Sequence, residues 1–242
     1  MAAIQYSFQR HEKKFLLTPE QYRAILPLLS ERMEEDRYGE YTICSLYYDT
    51  PAFDLIRASV QKPLYKEKFR LRSYGVPGEG DRIFGEIKKK FDGVVYKRRV
   101  AATPGEMARF LAGGELPHES PQIQRELHWF LRCHPISPRV FIGYDRTALA
   151  GREDLELRIT FDQNLRWRDH QLDLMAGDHG APVLPEERVV MEAKLPQAAP
   201  LWLVRILSQL ELRPTSFSKI GTCYQRHLAQ KIFLPERMKR SC

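Results

Sequence analysis

Apolar and polar residues alternate with a period of two along much of the chain, which is typical of strands that bury one face. The clearest alternation predicts strands over residues 65–74, 82–90 and 94–101, and Phe91-Asp92-Gly93 between the last two is a hairpin signal. Weaker alternation predicts further strands over residues 6–17, 41–48, 139–149, 155–161 and 188–194.

Helical periodicity and capping residues separate these strands. Thr18-Pro19-Glu20-Gln21 and Thr103-Pro104-Gly105-Glu106 are capping boxes with proline at the first helical position. Other helices are predicted over residues 51–61, from Ser120-Pro121 onward, and over 199–210 and 218–230, whereas residues 31–40 are predicted to form a charged loop. The pattern predicts an α+β fold, one domain over residues 1–242, with helices outside an antiparallel sheet and a disordered basic tail at about 234–242.

Composition excludes several classes of protein. The 242 residues carry 38 Lys+Arg and 31 Asp+Glu, a formal net charge of +7, which points to an anionic partner. No apolar run is long enough to span a membrane, and the N-terminal residues lack a secretory pattern. The four cysteines lie far apart without a CxxC pair, which argues against a disulfide scaffold or structural zinc site and indicates a cytoplasmic location.

Cations follow one face of several predicted strands. In the strand over 65–74, Lys66, Lys68, Arg70 and Arg72 share a face opposite Phe69 and Leu71. A solvated sheet face would explain one such stripe. Similar stripes recur on other predicted strands, which favours a different explanation. These stripes are Arg10, Glu12 and Lys14; Glu86, Lys88 and Lys90; Lys97 and Arg99; Tyr144 and Arg146; Glu156 and Arg158; and Glu192 and Lys194. In a closed barrel these side chains would point to a common axis, which would then have to hold an anion or water.

The residue types favour phosphate as the anion. Lys and Arg pair well with phosphate oxygens, and most strand aromatics alternate onto the opposite face, so single-stranded nucleic acid is not the expected partner. Neither GxxxxGK[ST] nor GxGxxG occurs, so side chains would have to bind the phosphates. The few carboxylates in the stripes are candidate ligands for Mg²⁺ or Mn²⁺: Glu12, Glu86, Glu156 and Glu192.

The same residues resemble a known family. The motifs, in order, are RHEKKF from Arg10, SLYYDT from Ser45, KEKFRLR from Lys66, EIKKK from Glu86, VYKRR from Val95, YDR from Tyr144, RITFD from Arg158, MEAK from Met191 and FSK from Phe217. Together they resemble the VTC domain, the catalytic domain of the vacuolar transporter chaperone polyphosphate polymerase and its bacterial relatives. That domain belongs to the triphosphate tunnel metalloenzymes, or CYTH-like group, and the resemblance covers about residues 6–225.

The resemblance implies a closed, antiparallel, eight-stranded β-barrel tunnel with helices packed outside, and transfer of the ATP γ-phosphate onto polyphosphate with Mn²⁺ or Mg²⁺. With the stripes, it assigns three groups of residues. The catalytic group is Lys14, Arg70, Arg72, Lys88, Arg146 and Arg158. The substrate-binding group is Lys68, Lys90, Lys97, Lys194, Lys219 and Tyr144, and the metal group is Glu192, Glu86 and Glu12.

Two departures from the family pattern bear on the reaction. The hydrolase branch begins with Glu-x-Glu-x-Lys, but Arg10 replaces the first glutamate here, which favours polymerase over triphosphatase. Ser216 stands where a lysine is expected, so one polyphosphate contact is missing. A triphosphate or nucleotide hydrolase or cyclase, and a non-catalytic polyphosphate-binding module, remain alternatives. Because no transmembrane segment is found, export of a polymer would need a membrane-protein partner; the oligomeric state is left open.

Overall fold

The structure is a computed structural model that describes residues 11–61, 63–92, 94–195 and 198–230. The part of the first predicted strand before His11, including Arg10, lies outside the described residues. The predicted basic tail also lies outside them.

The described residues form nine strands and six α-helices. The strands are β1 (His11–Leu17), β2 (Met33–Asp49), β3 (Tyr65–Tyr74), β4 (Ile83–Phe91), β5 (Val94–Ala102), β6 (Ser137–Gly151), β7 (Arg158–Arg168), β8 (Ala181–Pro182) and β9 (Val189–Leu195). The helices are α1 (Pro19–Ser30), α2 (Asp54–Val60), α3 (Pro104–Leu111), α4 (Pro121–Cys133), α5 (Leu201–Gln209) and α6 (Lys219–Cys223). A π-helical turn, Tyr224–Leu228, follows α6. Within the described part of the chain, we find no helix with the length and apolarity needed to cross a bilayer.

Two predicted boundaries are wrong. The charged loop expected over residues 31–40 is strand from Met33 onward, because Met33 is buried and extended pairing outweighs the local charge. β7 begins at Arg158 rather than 155, because Asp154 holds a turn: its carboxylate accepts from the Glu156 amide and its carbonyl from the Leu157 amide. Glu156 therefore lies in a turn and does not share a strand face with Arg158.

The sheet is antiparallel and its strand order is β1-β9-β7-β6-β2-β3-β4-β5, with β8 pairing with β7. The expected α+β class is confirmed. The closed eight-stranded barrel is not confirmed, because in the described residues the hydrogen-bonded order has two ends, β1 and β5. Antiparallel pairing alone does not close a sheet; closure also requires a matching stagger between the two end strands.

The chain divides into two compact units. Unit 1 comprises the described residues within 1–41, 145–164 and 184–217. In it, β9 pairs with both β1 and β7, and α1 packs against β1 and α5. Its core consists of one face of these strands together with helical side chains, including Phe15, Ile25, Phe161, Met191 and Leu203. The opposite strand face carries the polar residues described below.

Unit 2 comprises the described residues within 42–144, 165–183 and 218–230. In it, β3 pairs with β2 and β4, and β4 pairs with β5. Helix α4 covers one sheet face, where the Phe130 ring lies 6.1 Å from the Phe69 ring and both belong to a core that includes Ile87 and Leu127. The predicted alternation in β3 is confirmed, since Phe69 and Leu71 are buried in this core and the cations lie on the other face.

The capping residues fix where the helices begin. Thr18 with Gln21 and Thr103 with Glu106 form the expected capping boxes at α1 and α3. Asp49, at the end of β2, is fully buried, and its carboxylate accepts from the backbone amides of Leu55 and Ile56 in the first turn of α2 and from the amide of Thr50, the next residue. This cap fixes the end of the β2 segment that carries Tyr47.

Candidate functional site

Unit 2 carries a strongly basic surface on one face of β3, β4 and β5. The strand register places eight cations and one carboxylate on this surface, which we call the basic face. Its charged members are Lys66, Lys68, Arg70, Arg72, Glu86, Lys88, Lys90, Lys97 and Arg99. The basic face contains every lysine and arginine of unit 2 to which the sequence assigns a catalytic or substrate-binding role, except Lys219.

Several cations of the basic face stand directly opposite one another. Lys66 pairs with Lys90, and Lys88 has Lys68 on one side and Lys97 on the other. Like charges at such cross-strand positions destabilise a sheet. The arrangement therefore costs stability in the absence of a ligand, and a polyanion lying across the strands would relieve that cost.

Glu86 is the counter-ion of the basic face. Its carboxylate, 2% exposed, accepts from the Arg70 Nε at 2.9 Å and the Arg99 Nε at 2.8 Å, and the Lys97 Nζ lies 2.8 Å away. Burial alone would raise the pKa of Glu86, but Arg70, Arg72 and Lys97 hold it well below its usual range. Three cations contact its two oxygens, so a metal bound at Glu86, as the sequence predicts, would have to compete with them.

Tyr47 on β2 is a member of the site that the sequence assignment missed. It lies opposite Arg70 in the register, and its hydroxyl accepts from an Arg70 guanidinium nitrogen at 3.1 Å. Burial alone would raise the pKa of the phenol, but Arg70, Arg72 and Lys68 lower it to about 8. The lowered pKa is a direct consequence of the excess of positive over negative charge around it. The alternation of the SLYYD segment could have placed Tyr47 on this face.

Arg72 connects the basic face to Tyr144 of β6, which in turn contacts Lys219 of α6. It is buried, donates to the Tyr144 hydroxyl at 3.3 Å, and its Nε has no hydrogen-bond partner among the described residues. The Lys219 Nζ lies 4.6 Å from the centroid of the Tyr144 ring, and Lys68 donates to the Ser218 hydroxyl at 3.3 Å. A buried donor without an acceptor is costly, so the Arg72 Nε marks a place where an anionic ligand would be stabilised.

Unit 1 carries a smaller and more acidic group on one face of β1, β9 and β7, together with Arg146 of β6. The Lys14 Nζ lies 3.2 Å from both Glu12 and Glu192, and Arg146 binds both oxygens of buried Asp162 at 2.6 and 2.8 Å. An Arg146 nitrogen also lies 3.9 Å from Glu192. We call these residues the acidic-basic group. The sequence assignment missed Asp162, although it shares the strand face of Arg158.

Arg158 and Lys194 lie at one end of this face. The register places Arg158 opposite Lys194, and Lys194 opposite Glu12. The structure therefore brings together, within unit 1, all the site residues assigned to it: Glu12, Lys14, Arg146, Arg158, Glu192 and Lys194.

The acidic-basic group fits a divalent cation that shares its coordination with a ligand. Two carboxylates, Glu12 and Glu192, already converge on one ammonium group. Thr160 lies opposite Glu192, and its buried hydroxyl has no hydrogen-bond partner in the described part of the chain. No cluster of three or more His, Cys, Asp or Glu suited to a metal occurs among the described residues. The set therefore suits Mg²⁺ or Mn²⁺ held by one or two carboxylates plus water and phosphate oxygens, rather than an all-protein cage.

Comparisons with known proteins agree with the resemblance seen in the sequence. The family model described as VTC domain matches residues 9–227. No curated protein sequence matches the chain.

Several solved structures are similar in fold at low sequence identity. A Hippeastrum protein, described as an adenylyl cyclase candidate with a dominant triphosphatase activity, is 16% identical with a TM-score of 0.52; the match covers 88% of this chain and 94% of that one. A Vibrio parahaemolyticus protein described as an adenylate cyclase candidate is 12% identical over 88% of this chain and 96% of that one, with a TM-score of 0.47.

The phenol of Tyr47 provides a test of the charge on the basic face. In an alkaline titration followed by phenolate absorbance, we expect one tyrosine to ionise near pH 8 and this step to vanish in Tyr47→Phe. Tyr48→Phe is the matched control, because burial raises the pKa of Tyr48 to about 12.

The same ionisation links stability to pH. Because the folded pKa lies below the unfolded value of about 10, the wild type should gain stability relative to Tyr47→Phe as the pH rises from about 8 to 10, and should lose that gain as the pH falls through about 8. A wild type without tyrosine ionisation below about pH 9 would contradict the electrostatic description of this face.

Proposed function

Because the chain belongs to the VTC domain family, we propose that it is a metal-dependent enzyme that transfers the γ-phosphate of ATP onto a polyphosphate chain. The observation that carries this proposal is the basic face of unit 2, with eight cations around one carboxylate. Phosphoryl transfer needs positioning and neutralisation of charge on the phosphate oxygens more than a covalent nucleophile. A dense array of fixed cations meets that need.

The two groups of residues take different roles in the proposed reaction. On the basic face, Arg70 and Arg72 orient phosphate oxygens from guanidinium groups that Glu86 and Tyr144 hold in place. Lysines extend this contact along the strands: Lys68, Lys88, Lys90 and Lys97. Lys219, against Tyr144, adds a further cation at the start of α6.

In unit 1, Glu192 and Glu12 would hold the Mn²⁺ or Mg²⁺, which supplies charge neutralisation on the phosphates when bound. Lys14 and Arg146 contact these carboxylates and keep them oriented. Arg158 and Lys194, at the end of the same strand face, are proposed to contact phosphate. The closed tunnel that the family resemblance implies is part of this proposal.

Polymerase is favoured over triphosphatase by the composition of the proposed site. Hydrolysis requires a group that activates water, and Arg10 replaces the first glutamate of the hydrolase pattern. The described carboxylates on the two faces contact cations: Glu12 and Glu192 contact Lys14, Glu86 contacts Arg70, and Asp162 contacts Arg146. The Hippeastrum protein described with triphosphatase activity makes hydrolysis the alternative to test.

The proposal is tested by incubating the protein with γ-labelled ATP and Mn²⁺ and separating the products by size. Label in long-chain polyphosphate supports the polymerase. Label released only as free phosphate would show a triphosphatase and overturn the transferase. Tight binding of polyphosphate without turnover would show a binding module and overturn the enzyme.

Neighbouring lysines on β4 test which sheet face binds phosphate. We expect Lys88→Gln to weaken tripolyphosphate binding about ten-fold or more, because it removes a charge-assisted contact. Lys89→Gln is the matched control: the same charge is lost on the opposite face, where Lys89 pairs with Glu67 at 3.3 Å. Calorimetric titration measures both affinities. Equal losses in the two variants would mean that only net charge matters, and the basic face would then not be the site.

Removal of one carboxylate tests the metal assignment. Glu192→Gln should raise the Mn²⁺ concentration that gives half-maximal activity about ten-fold, because it deletes a charged ligand. The control is Glu156→Gln, in the exposed turn before β7, which should leave the Mn²⁺ titration unchanged. An unchanged titration in Glu192→Gln would remove this residue from the metal site.

A further inference from the structure

The basic face changes in character along its strands. Lysines predominate in the two rows nearest the β4-β5 hairpin, and the next row contains Arg70, Glu86 and Arg99. At the opposite end of the strands, next to the loop that joins β3 to β4, the side chains on this face are mainly aromatic or aliphatic. Apart from Arg72, the residues at this end have no part in the phosphate contacts described above.

Two aromatic residues are the main feature of this end. Phe84 lies between Arg72 and Ala101 in the register, and Tyr74 lies opposite Ile43. The rings of Tyr74 and Phe84 form a T-shaped pair with their centroids 5.7 Å apart. Phe84 is partly buried, whereas 51% of Tyr74 is exposed. We call these two residues the aromatic pair.

Arg99 holds the aromatic pair in place. Its guanidinium carbon lies 4.3 Å from the centroid of the Phe84 ring, a cation–π contact, and the guanidinium donates a hydrogen bond to the Tyr74 hydroxyl. Arg99 is itself fixed by Glu86, whose carboxylate accepts from the Arg99 Nε at 2.8 Å. The Tyr74 ring is therefore oriented before any ligand arrives, so a flat ligand could stack on it with little loss of conformational entropy.

The spacing along β3 matches a nucleoside triphosphate. Residues on one strand face follow one another at about 7 Å, so Arg72 and Arg70 lie about 7 and 14 Å from Tyr74 along the strand. A nucleotide carries its charge at one end and an uncharged aromatic base at the other. With the base against Tyr74, the phosphates would follow Arg72 and Arg70 towards the lysine rows. The reverse orientation would place the base among lysines, where the described residues of β3, β4 and β5 put no aromatic side chain on this face.

We propose that Tyr74, supported by Phe84 and Arg99, stacks against the base of the nucleoside triphosphate substrate. This inference rests on the proposed function and adds a base subsite to its phosphate contacts. Stacking on an aromatic ring discriminates little among bases, because every base presents a π face. The subsite therefore accepts nucleoside triphosphates as a class, and Tyr74 distinguishes them from inorganic triphosphate.

Calorimetric titration of the full chain with ATP and, separately, with tripolyphosphate tests this subsite; divalent metal is left out so that no turnover occurs. We expect Tyr74→Ala to weaken ATP binding about ten-fold, because the stacking contact is lost, and to change tripolyphosphate binding less than about two-fold. Tyr74→Phe keeps the ring and should retain most of the ATP affinity. The matched control is Tyr96→Ala, because Tyr96 is 52% exposed but lies beside Lys89 on the opposite face of the sheet. This control should change neither affinity.

The outcomes separate the base subsite from the proposed function. Equal losses of ATP and tripolyphosphate affinity in Tyr74→Ala would mean that Tyr74 only supports the phosphate contacts, and unchanged ATP affinity would mean that the base binds elsewhere. Either result would overturn the base subsite. An equally large loss in Tyr74→Phe would also overturn it, because the hydroxyl rather than the ring would then be responsible. In all three cases, tripolyphosphate binding by the wild type leaves the basic face standing, whereas a wild type that binds neither ligand would overturn both proposals.

Discussion

The contact of buried Glu86 with Arg70, Arg99 and Lys97 is the interaction on which the basic face depends. Without this carboxylate, three adjacent strands would present only cations to one another, and the desolvated guanidinium groups would have no counter-ion. One carboxylate fixes three cations but neutralises the charge of only one. The protein thus orders these cations while keeping a large positive excess, which lowers the pKa of Tyr47 to about 8.

In the acidic-basic group of unit 1, by contrast, positive and negative charges are close to balance. The Asp162 carboxylate accepts from two guanidinium nitrogens of Arg146, and Glu12 and Glu192 both form ion pairs with Lys14. A divalent cation can compete for such carboxylates, whereas a polyanion gains little from them. Under the proposed function, unit 2 would supply phosphate neutralisation and unit 1 would supply metal binding, the two chemistries that phosphoryl transfer requires.

Much of this arrangement could be predicted from alternation. The limits of β3 and the separation of Lys68 and Arg70 from Phe69 follow from a period of two and hold in the structure. Alternation places Glu86, Asp162 and Tyr47 on the strand faces that carry the cations, but it does not identify their contacts. Which cations contact Glu86, and that Asp162 contacts Arg146 and Tyr47 contacts Arg70, is decided by how neighbouring strands pair. Sheet closure likewise depends on stagger, which side-chain alternation does not encode.

We propose that the cations ordered by Glu86 bind a phosphate chain. An electron-density map of crystals grown with tripolyphosphate is the decisive measurement. We expect phosphate density along the basic face, with an oxygen within hydrogen-bond distance of the Arg72 Nε and others near Lys88 and Lys97. Tripolyphosphate bound elsewhere on the protein, with the basic face holding only water, would contradict it.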